Sequence, residues 1–361
     1  MKRLEIVQLG IGHVGRKVAQ IVLEERKRWR EQNSLEVNYR AVSDTSGALI
    51  GEELLPQAIR LKEAGGKLSE LGAESLEEAL LSEPAPGTTR VIVDVAVHGA
   101  TYDLDLLGVR NGSHLVLSNK GPLSRSMEEY QRLTLMLPNR LWHEATVGAG
   151  MPIISTLDGL IASGDELLEI QASPSGTLGF VMSAVEAGRR FSEAVNEAVA
   201  LAYAEPDPRD DLSGLDAARK AIILARKMGR QIEPGEISYE SLVPEGLEDV
   251  SLEEFIEHIP EADEAFAERM LAVEEHHMLR YLARIPKEGP VTVGLVDEPV
   301  ESPFGPISGP ENVFDFRTRR YSDVTLTIRG PGAGPERTAS GVVSDLLGIA
   351  HKAVEDDRKD N

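Results

Sequence analysis

Leu4–Leu9 is a short apolar run that stops at Gly10-Ile-Gly12-His13-Val14-Gly15, and Val14, Val18, Ile21 and Val22 then recur at helical spacing. That order predicts a strand, a glycine-rich turn and an amphipathic helix. Val37–Ser43 reads as the next strand, ending in Asp44, and Ala48–Glu83 is polar and helical in places. Arg90–Val97 is a continuous β-branched run, the pattern of a strand buried on both faces. His114–Leu117 and Leu141–Thr146 follow as strands, the first running into Ser118-Asn119-Lys120. Ser155–Ala162 reads as a helix, Leu167–Ala172 as a strand, and Ser173–Thr177 as the opening of a helix. Met278–Ala283, Val291–Val296 and Ser322–Ile328 alternate as strands do, which predicts a mixed sheet. A last helix buries Ala339, Val342, Val343, Leu346 and Ala350, and the simplest partner for that face is the N-terminal domain.

Tyr203–Lys220 breaks the apolar pattern, with five carboxylates and three bases in eighteen residues. Pro206 and Pro208 lack amide protons and hold their predecessors extended, so this half is no helix interior. Ser213 reads as an N-cap with Asp216 as the capping-box acid, for a helix over about 214–228. Asp216 and Lys220 then share one helix face, with Glu205 and Asp211 on the loop feeding it. Such a helix can aim carboxylates and an ammonium at one small polar molecule.

A chain of 361 residues, 41% hydrophobic, suggests two domains with ample core. Its 60 acidic against 38 basic residues give a net charge of −22, which argues against binding nucleic acid or an anionic membrane. No cysteine is present, so disulfides, thiolate zinc sites and a thiol nucleophile are excluded, and with them an aldehyde dehydrogenase working through a thiohemiacetal. The longest uncharged run, Ile170–Val185, is 16 residues and broken by Pro174, Gly176 and Gly179, too short and polar to span a bilayer. With no secretory pattern at the N-terminus, a cytoplasmic location is expected. Pro244–Glu275, with twelve carboxylates against Arg269, reads as solvated helices.

Against that background the glycine turn is the leading chemical feature. Gly10 permits the tight turn, Gly12 lets backbone approach a pyrophosphate at the helix N-terminus, and Gly15 allows helix and strand to pack closely. Asp44 can accept hydrogen bonds from an adenosine ribose and repel a 2′-phosphate, which leans toward NAD over NADP; Arg40 and Lys62 could serve a 2′-phosphate instead. Lys120 stands at the carboxyl end of a buried strand, as a ligand contact or as a surface lysine. Glu144 through Pro152 offers carbonyls and one carboxylate, suited to a hard cation or to a hinge between domains. Ser173–Thr177 offers hydroxyls and free amides for a carboxylate or carbonyl oxygen. Gly330–Pro335 is a second glycine-rich turn.

Taken in order, GxGxVG at Gly10–Gly15, SNK at Ser118–Lys120, EATVGAGMPIIS at Glu144–Ser155, SGTL at Ser175–Leu178, AEPDPRDDLSGLDAARK at Ala204–Lys220 and GPGAG at Gly330–Gly334 resemble the homoserine dehydrogenase family. The resemblance implies NAD(P)-dependent interconversion of L-homoserine and aspartate 4-semialdehyde, in threonine, methionine and isoleucine biosynthesis. It implies Lys120 and Lys220 as active-site lysines, with Asp216, and Thr177, Glu205 and Asp211 as the substrate region. The cofactor would lie against Gly10, Gly12, His13, Val14, Gly15, Asp44, Ala96, Asn119, Lys120 and Gly332. Glu144, Val147, Ala149 and Met151 correspond to a site for a monovalent cation such as sodium. The expected fold is α/β. A Rossmann dinucleotide-binding domain covers 1–142 and 332–361, an α+β catalytic domain with a mixed sheet covers 154–289, and a small dimerisation region covers 143–153 and 290–331. A homodimer acting on a small molecule is expected, of the short form with no fused aspartate kinase and no dedicated feedback module. One departure stands out. Related sequences carry small polar residues after the strand, where this chain has Val95-Ala96-Val97-His98. That keeps open a related dehydrogenase for another amino or hydroxy acid; a nucleotide sensor without turnover is the reading from a different class, and the lysines and carboxylates argue against it.

Overall fold

The computed structural model describes residues 1–72, 74–97 and 99–359. The chain folds as two compact units, Met1–Ile154 together with Ala333 onward, and Ser155–Gly332. The first unit is built on β1 (Lys2–Leu9), β2 (Leu35–Asp44), β3 (Gly47–Ile50), β4 (Thr88–Asp94), β5 (His114–Leu117) and β6 (Leu141–Trp142). Their order in the sheet is β3-β2-β1-β4-β5-β6, parallel except for β3. Strand order therefore reverses between β1 and β4, the switch point where open α/β sheets bind dinucleotides. Both strands are buried along their carboxyl halves, as a parallel sheet covered by helices requires.

The helix His13–Asn33 follows β1 and buries Val18, Ala19 and Val22. The carboxy-terminal helix begins at Pro335 and adds Ala339, Val342, Val343, Leu346 and Ala350 to the same core. The apolar stripe read in the sequence thus completes the N-terminal domain.

The second unit carries β7 (Leu167–Ser173), β8 (Ser238–Tyr239), β9 (His277–Pro286), β10 (Thr292–Pro299), β11 (Asn312–Thr318) and β12 (Leu326–Gly330). They order as β12-β11-β7-β9-β10-β8, antiparallel except for β8 against β10, so the sheet is mixed as expected. Three of these strands come from 290–331, while 143–153 falls in the first unit. No helix among the described residues is long and apolar enough to cross a membrane.

Four local expectations change. The run from Arg90 is a strand only to Asp94, whose Oδ1 accepts the Ala96 amide at 2.9 Å and turns the backbone out of the ladder. β6 is two residues long, and Glu144–Thr146 is a 3-10 turn, with the Glu144 amide donating to Asp345 rather than to a strand. The strand read from Ser322 starts at Leu326, and β11 beside it has no counterpart in the sequence pattern because it is buried on both faces and carries Asp315 and Arg317. Ser213 is not the N-cap of the next helix. It ends a turn over Arg209–Leu212, and Gly214, at φ 71°, caps Leu215–Lys227.

Leu346 is 1% exposed in the first unit's core. Leu346→Ala should lower stability by about 2–5 kcal/mol in a urea titration. A loss below about 0.5 kcal/mol, as for a surface site, would mean this helix does not complete the domain.

Candidate active site

In the first unit the functional groups gather where apolar strands end. Gly10 has φ 94°, and a Cβ there would lie 3.0 Å from the Ala96 Cα, so the turn after β1 is pressed against the loop after β4. A Cβ on Gly15 would sit 2.3 Å from the Gly10 carbonyl oxygen. Only glycine fits either place. Gly12 differs: a Cβ there meets nothing within 4 Å among the described residues. Gly12 is also the N-cap of the first helix, with no side chain capping it and no acid in the first turn. The site therefore fits a pyrophosphate, with open space in front of amide donors at the positive end of a helix dipole. His13 is exposed at this end, and Val14 packs partly on the core.

Gln8 was not singled out in the sequence. It is fully buried, donates Nε2 to the carbonyls of Gly10 (2.8 Å) and Gly15 (3.1 Å), and accepts the Tyr39 hydroxyl on Oε1 at 2.8 Å. It braces the glycine turn from beneath. A lone amide in the apolar run Leu4–Leu9 was its signal.

Asp44 is engaged inside the protein. Oδ1 accepts the Ser46 amide (2.8 Å) and hydroxyl (2.6 Å), and Oδ2 accepts Lys62 Nζ (2.8 Å) and the Leu68 amide (3.1 Å). Burial alone would raise its pKa, but the hydrogen bonds from Lys62, Ser46 and Leu68 prevail and bring it down to about 2. Asn119 is also tied down: Nδ2 donates to Asp94 Oδ2 at 2.9 Å, and Oδ1 accepts the Gly121 amide at 2.9 Å. Lys120 follows directly, its carbonyl taking the amides of Leu123 and Ser124. Ala96 sits beneath Gly10, whereas His98 lies outside the described residues.

Glu144 is buried, and its Oε1 accepts the Ile154 amide at 2.7 Å. Ala149 holds a left-handed φ of 54°, and the Met151 carbonyl accepts the Ile153 amide at 2.8 Å. Val147 is buried in the same turn. Carbonyl and carboxylate oxygens keep further lone pairs when each accepts one amide, so the donor chemistry of this turn suits a hard cation.

In the second unit, Ser175 caps the helix Gly176–Glu186 by accepting the Leu178 amide, which places Thr177 in its first turn. The Thr177 hydroxyl lies 2.6 Å from the Tyr203 carbonyl and 2.9 Å from Asp211 Oδ1, and the Glu205 amide donates to Asp211 Oδ2 at 2.8 Å. Thr177, Glu205 and Asp211 are thus brought together. One hydroxyl proton cannot serve both the Tyr203 carbonyl and an ionised carboxylate. Burial raises the Asp211 pKa, and the charges of Glu205 and Asp216 add to the rise. Lys220 is 8% exposed, donates to the Pro174 carbonyl at 2.6 Å and pairs with Asp216 Oδ2 at 2.9 Å, on the helix face read from the sequence. Gly332 belongs to this unit, and a Cβ there would strike the Asn312 side chain at 2.3 Å. Asn312 is 1% exposed with neither amide atom satisfied among the described residues, a buried polar residue the sequence reading missed.

A Cβ at Gly214 would lie 2.0 Å from the Tyr281 hydroxyl. Gly214→Ala should therefore cost on the order of 2–4 kcal/mol by chemical denaturation. Adding Tyr281→Phe should recover the part of the cost due to the hydroxyl and leave that of the positive φ and of the Glu240 carbonyl, 2.9 Å from the added Cβ. An alanine variant as stable as the parent would refute this account of the cap.

Residues 152–347 match the family model for homoserine dehydrogenase. The homoserine dehydrogenase of Paracoccidioides brasiliensis is 35% identical over 283 residues, 74% of this chain and 76% of that protein. The chloroplastic bifunctional aspartokinase/homoserine dehydrogenase 2 of Arabidopsis thaliana is 41% identical over 268 residues, 72% of this chain but only 29% of that longer protein. A hyperthermophilic archaeal homoserine dehydrogenase solved in complex with NADPH is 26% identical, superposes with a TM-score of 0.74, and is matched over 98% of each chain. The chain belongs to the homoserine dehydrogenase family.

Proposed function

We propose that this protein interconverts L-homoserine and L-aspartate 4-semialdehyde with NAD(P), on the route to threonine, methionine and isoleucine. The observation that carries the reading is the buried Lys220 ammonium, locked on Asp216 and Pro174, in the same unit as the Thr177–Asp211–Glu205 cluster. An amino-acid substrate presents an α-ammonium, which Glu205 and Asp211 suit, and an α-carboxylate, which needs donors. Lys220, oriented by Asp216, serves the carboxylate or the proton transfer. A nicotinamide dinucleotide, when bound, supplies or accepts the hydride at carbon 4. Lys120 donates a proton to the aldehyde oxygen as negative charge develops there, and takes it back in the oxidation direction.

The archaeal relative's NADPH and the open glycine turn support a dinucleotide. NAD is favoured over NADP, because an ionised Asp44 opposes a 2′-phosphate, although Lys62 beside it offsets part of that charge. The reading extends to a cytoplasmic homodimer with a monovalent cation such as sodium held by Glu144, Val147, Ala149 and Met151.

Purified protein with homoserine should reduce NAD or NADP, followed by nicotinamide absorbance. Lys120→Ala and Lys220→Ala should each lower kcat by roughly 100-fold or more while nucleotide still binds. Full activity in both variants would rule out the lysine roles. Activity confined to another amino or hydroxy acid would redirect the assignment to the Val95–His98 segment. A second set of variants reads cofactor choice. Asp44→Asn should shift the NAD/NADP ratio of kcat/KM toward NADP, and Lys62→Ala toward NAD; ratios that stay put would remove this pair from nucleotide selection.

A further inference from the structure

Asp94 ends β4 and is fully buried. Its backbone carbonyl accepts the amides of Ser118 (3.0 Å) and Asn119 (3.3 Å). Its carboxyl accepts the Ala96 amide on Oδ1 at 2.9 Å, and on Oδ2 the Thr101 hydroxyl at 2.7 Å and Asn119 Nδ2 at 2.9 Å. Asn119 in turn holds the Gly121 amide. Both chain neighbours of Lys120 are therefore fastened, directly or through one amide, to a single aspartate.

Behind Asp94 stands a second buried acid. Asp105, in the helix Tyr102–Arg110, is 0% exposed, and neither of its oxygens has a donor among the described residues. What faces it is the Asp94 carboxyl, within hydrogen-bonding reach. A buried carboxylate without donors is unstable, and two facing carboxylates cannot both ionise. A carboxylate has about four lone-pair sites, and three of Asp94's are filled by Ala96, Thr101 and Asn119. The fourth accepts a proton carried by Asp105. Burial, with the Asp94 charge adding, holds the Asp105 pKa well above the usual range, while burial raises Asp94 only to about 6 against the hydrogen bonds it accepts. Asp94 is the one ionisable side chain that acts on Asp105 among the described residues.

We infer that Asp94 and Asp105 are a proton-sharing carboxyl pair that positions Lys120 through Asn119. This rests on Lys120 as the proton-transfer group of the proposed reaction. In the pair Asp105 is the acid and Asp94 the anion. Asp94 stays an acceptor, so Asn119 keeps its orientation, with Nδ2 toward the acid pair and Oδ1 toward Gly121.

Two measurements test it. The first is the melting temperature of wild type and Asp105→Asn from pH 5 to 8. The folded wild type holds a proton that the unfolded chain sheds above about pH 4, so wild-type stability falls as pH rises. The asparagine does not titrate, and its melting temperature relative to wild type should climb across this range. A flat difference would overturn the shared proton. The second is acetylation of Lys120 by limiting acetic anhydride, read by peptide mass spectrometry against the other lysines. Asp94→Asn and Asn119→Ala should each label Lys120 about tenfold faster, the factor carried by losing one charge-assisted hydrogen bond. Unchanged labelling in both would overturn the positioning role. Neither readout uses turnover, so a wild-type protein inert toward homoserine would count against the activity and not against the pair.

Discussion

The Lys220 ammonium is the constraint on which the second unit's chemistry turns. A charge this far from water must be paired and hydrogen-bonded, because an unpartnered one costs several kcal/mol. Asp216 meets one part of that need from the preceding helical turn, and the Pro174 carbonyl meets another from the segment leading into the helix Gly176–Glu186. Satisfying one side chain thus ties two helix starts together. One of them carries Thr177, whose hydroxyl reaches Asp211, whose second oxygen holds the Glu205 backbone. Positive φ at Gly214 belongs to the same arrangement, since it lets the chain turn into the Lys220 helix directly under Tyr281.

The first unit solves a different problem. Its groups lie at strand ends, where a parallel sheet stops pairing and backbone amides need other partners. Polar side chains placed inside otherwise apolar runs supply them. Gln8 braces the glycine turn, and Asp94 takes amides from its own loop and from the loop after β5. These residues are buried and bonded to backbone and neighbouring side chains, and they fix where exposed Gly12 and half-buried Lys120 stand. Position is held from beneath by buried polar atoms.

This division explains what could be read from the chain alone. Gly10–Gly15 was legible because each glycine answers a local steric demand, and the structure shows that demand at Gly10 and Gly15. The Asp216–Lys220 pair was legible because helical spacing fixes it. The carboxy-terminal stripe was legible by period, and its partner followed from needing an apolar face. Gln8, Asp94, Asp105 and Asn312 were not, because their meaning depends on how the chain packs around them: Asp94 reads as an acid inside the apolar run Arg90–Val97 until Asn119 and Asp105 are placed against it. Ser213 misled for the opposite reason. Its sequence context is a good cap, yet the preceding turn and the close approach of Tyr281 gave that place to Gly214. β11 escaped because Asp315 and Arg317 break its apolar pattern, although Thr325 and Thr327 satisfy Asp315 with hydroxyl donors.

The most direct test of the central claim follows the hydride itself. Protein incubated with aspartate 4-semialdehyde and reduced nicotinamide dinucleotide carrying two deuteriums at ring carbon 4 would be quenched, and the amino acid analysed by mass spectrometry. The account predicts homoserine carrying one deuterium, located on carbon 4. Unchanged semialdehyde, or homoserine without the label, would contradict direct hydride transfer by this protein.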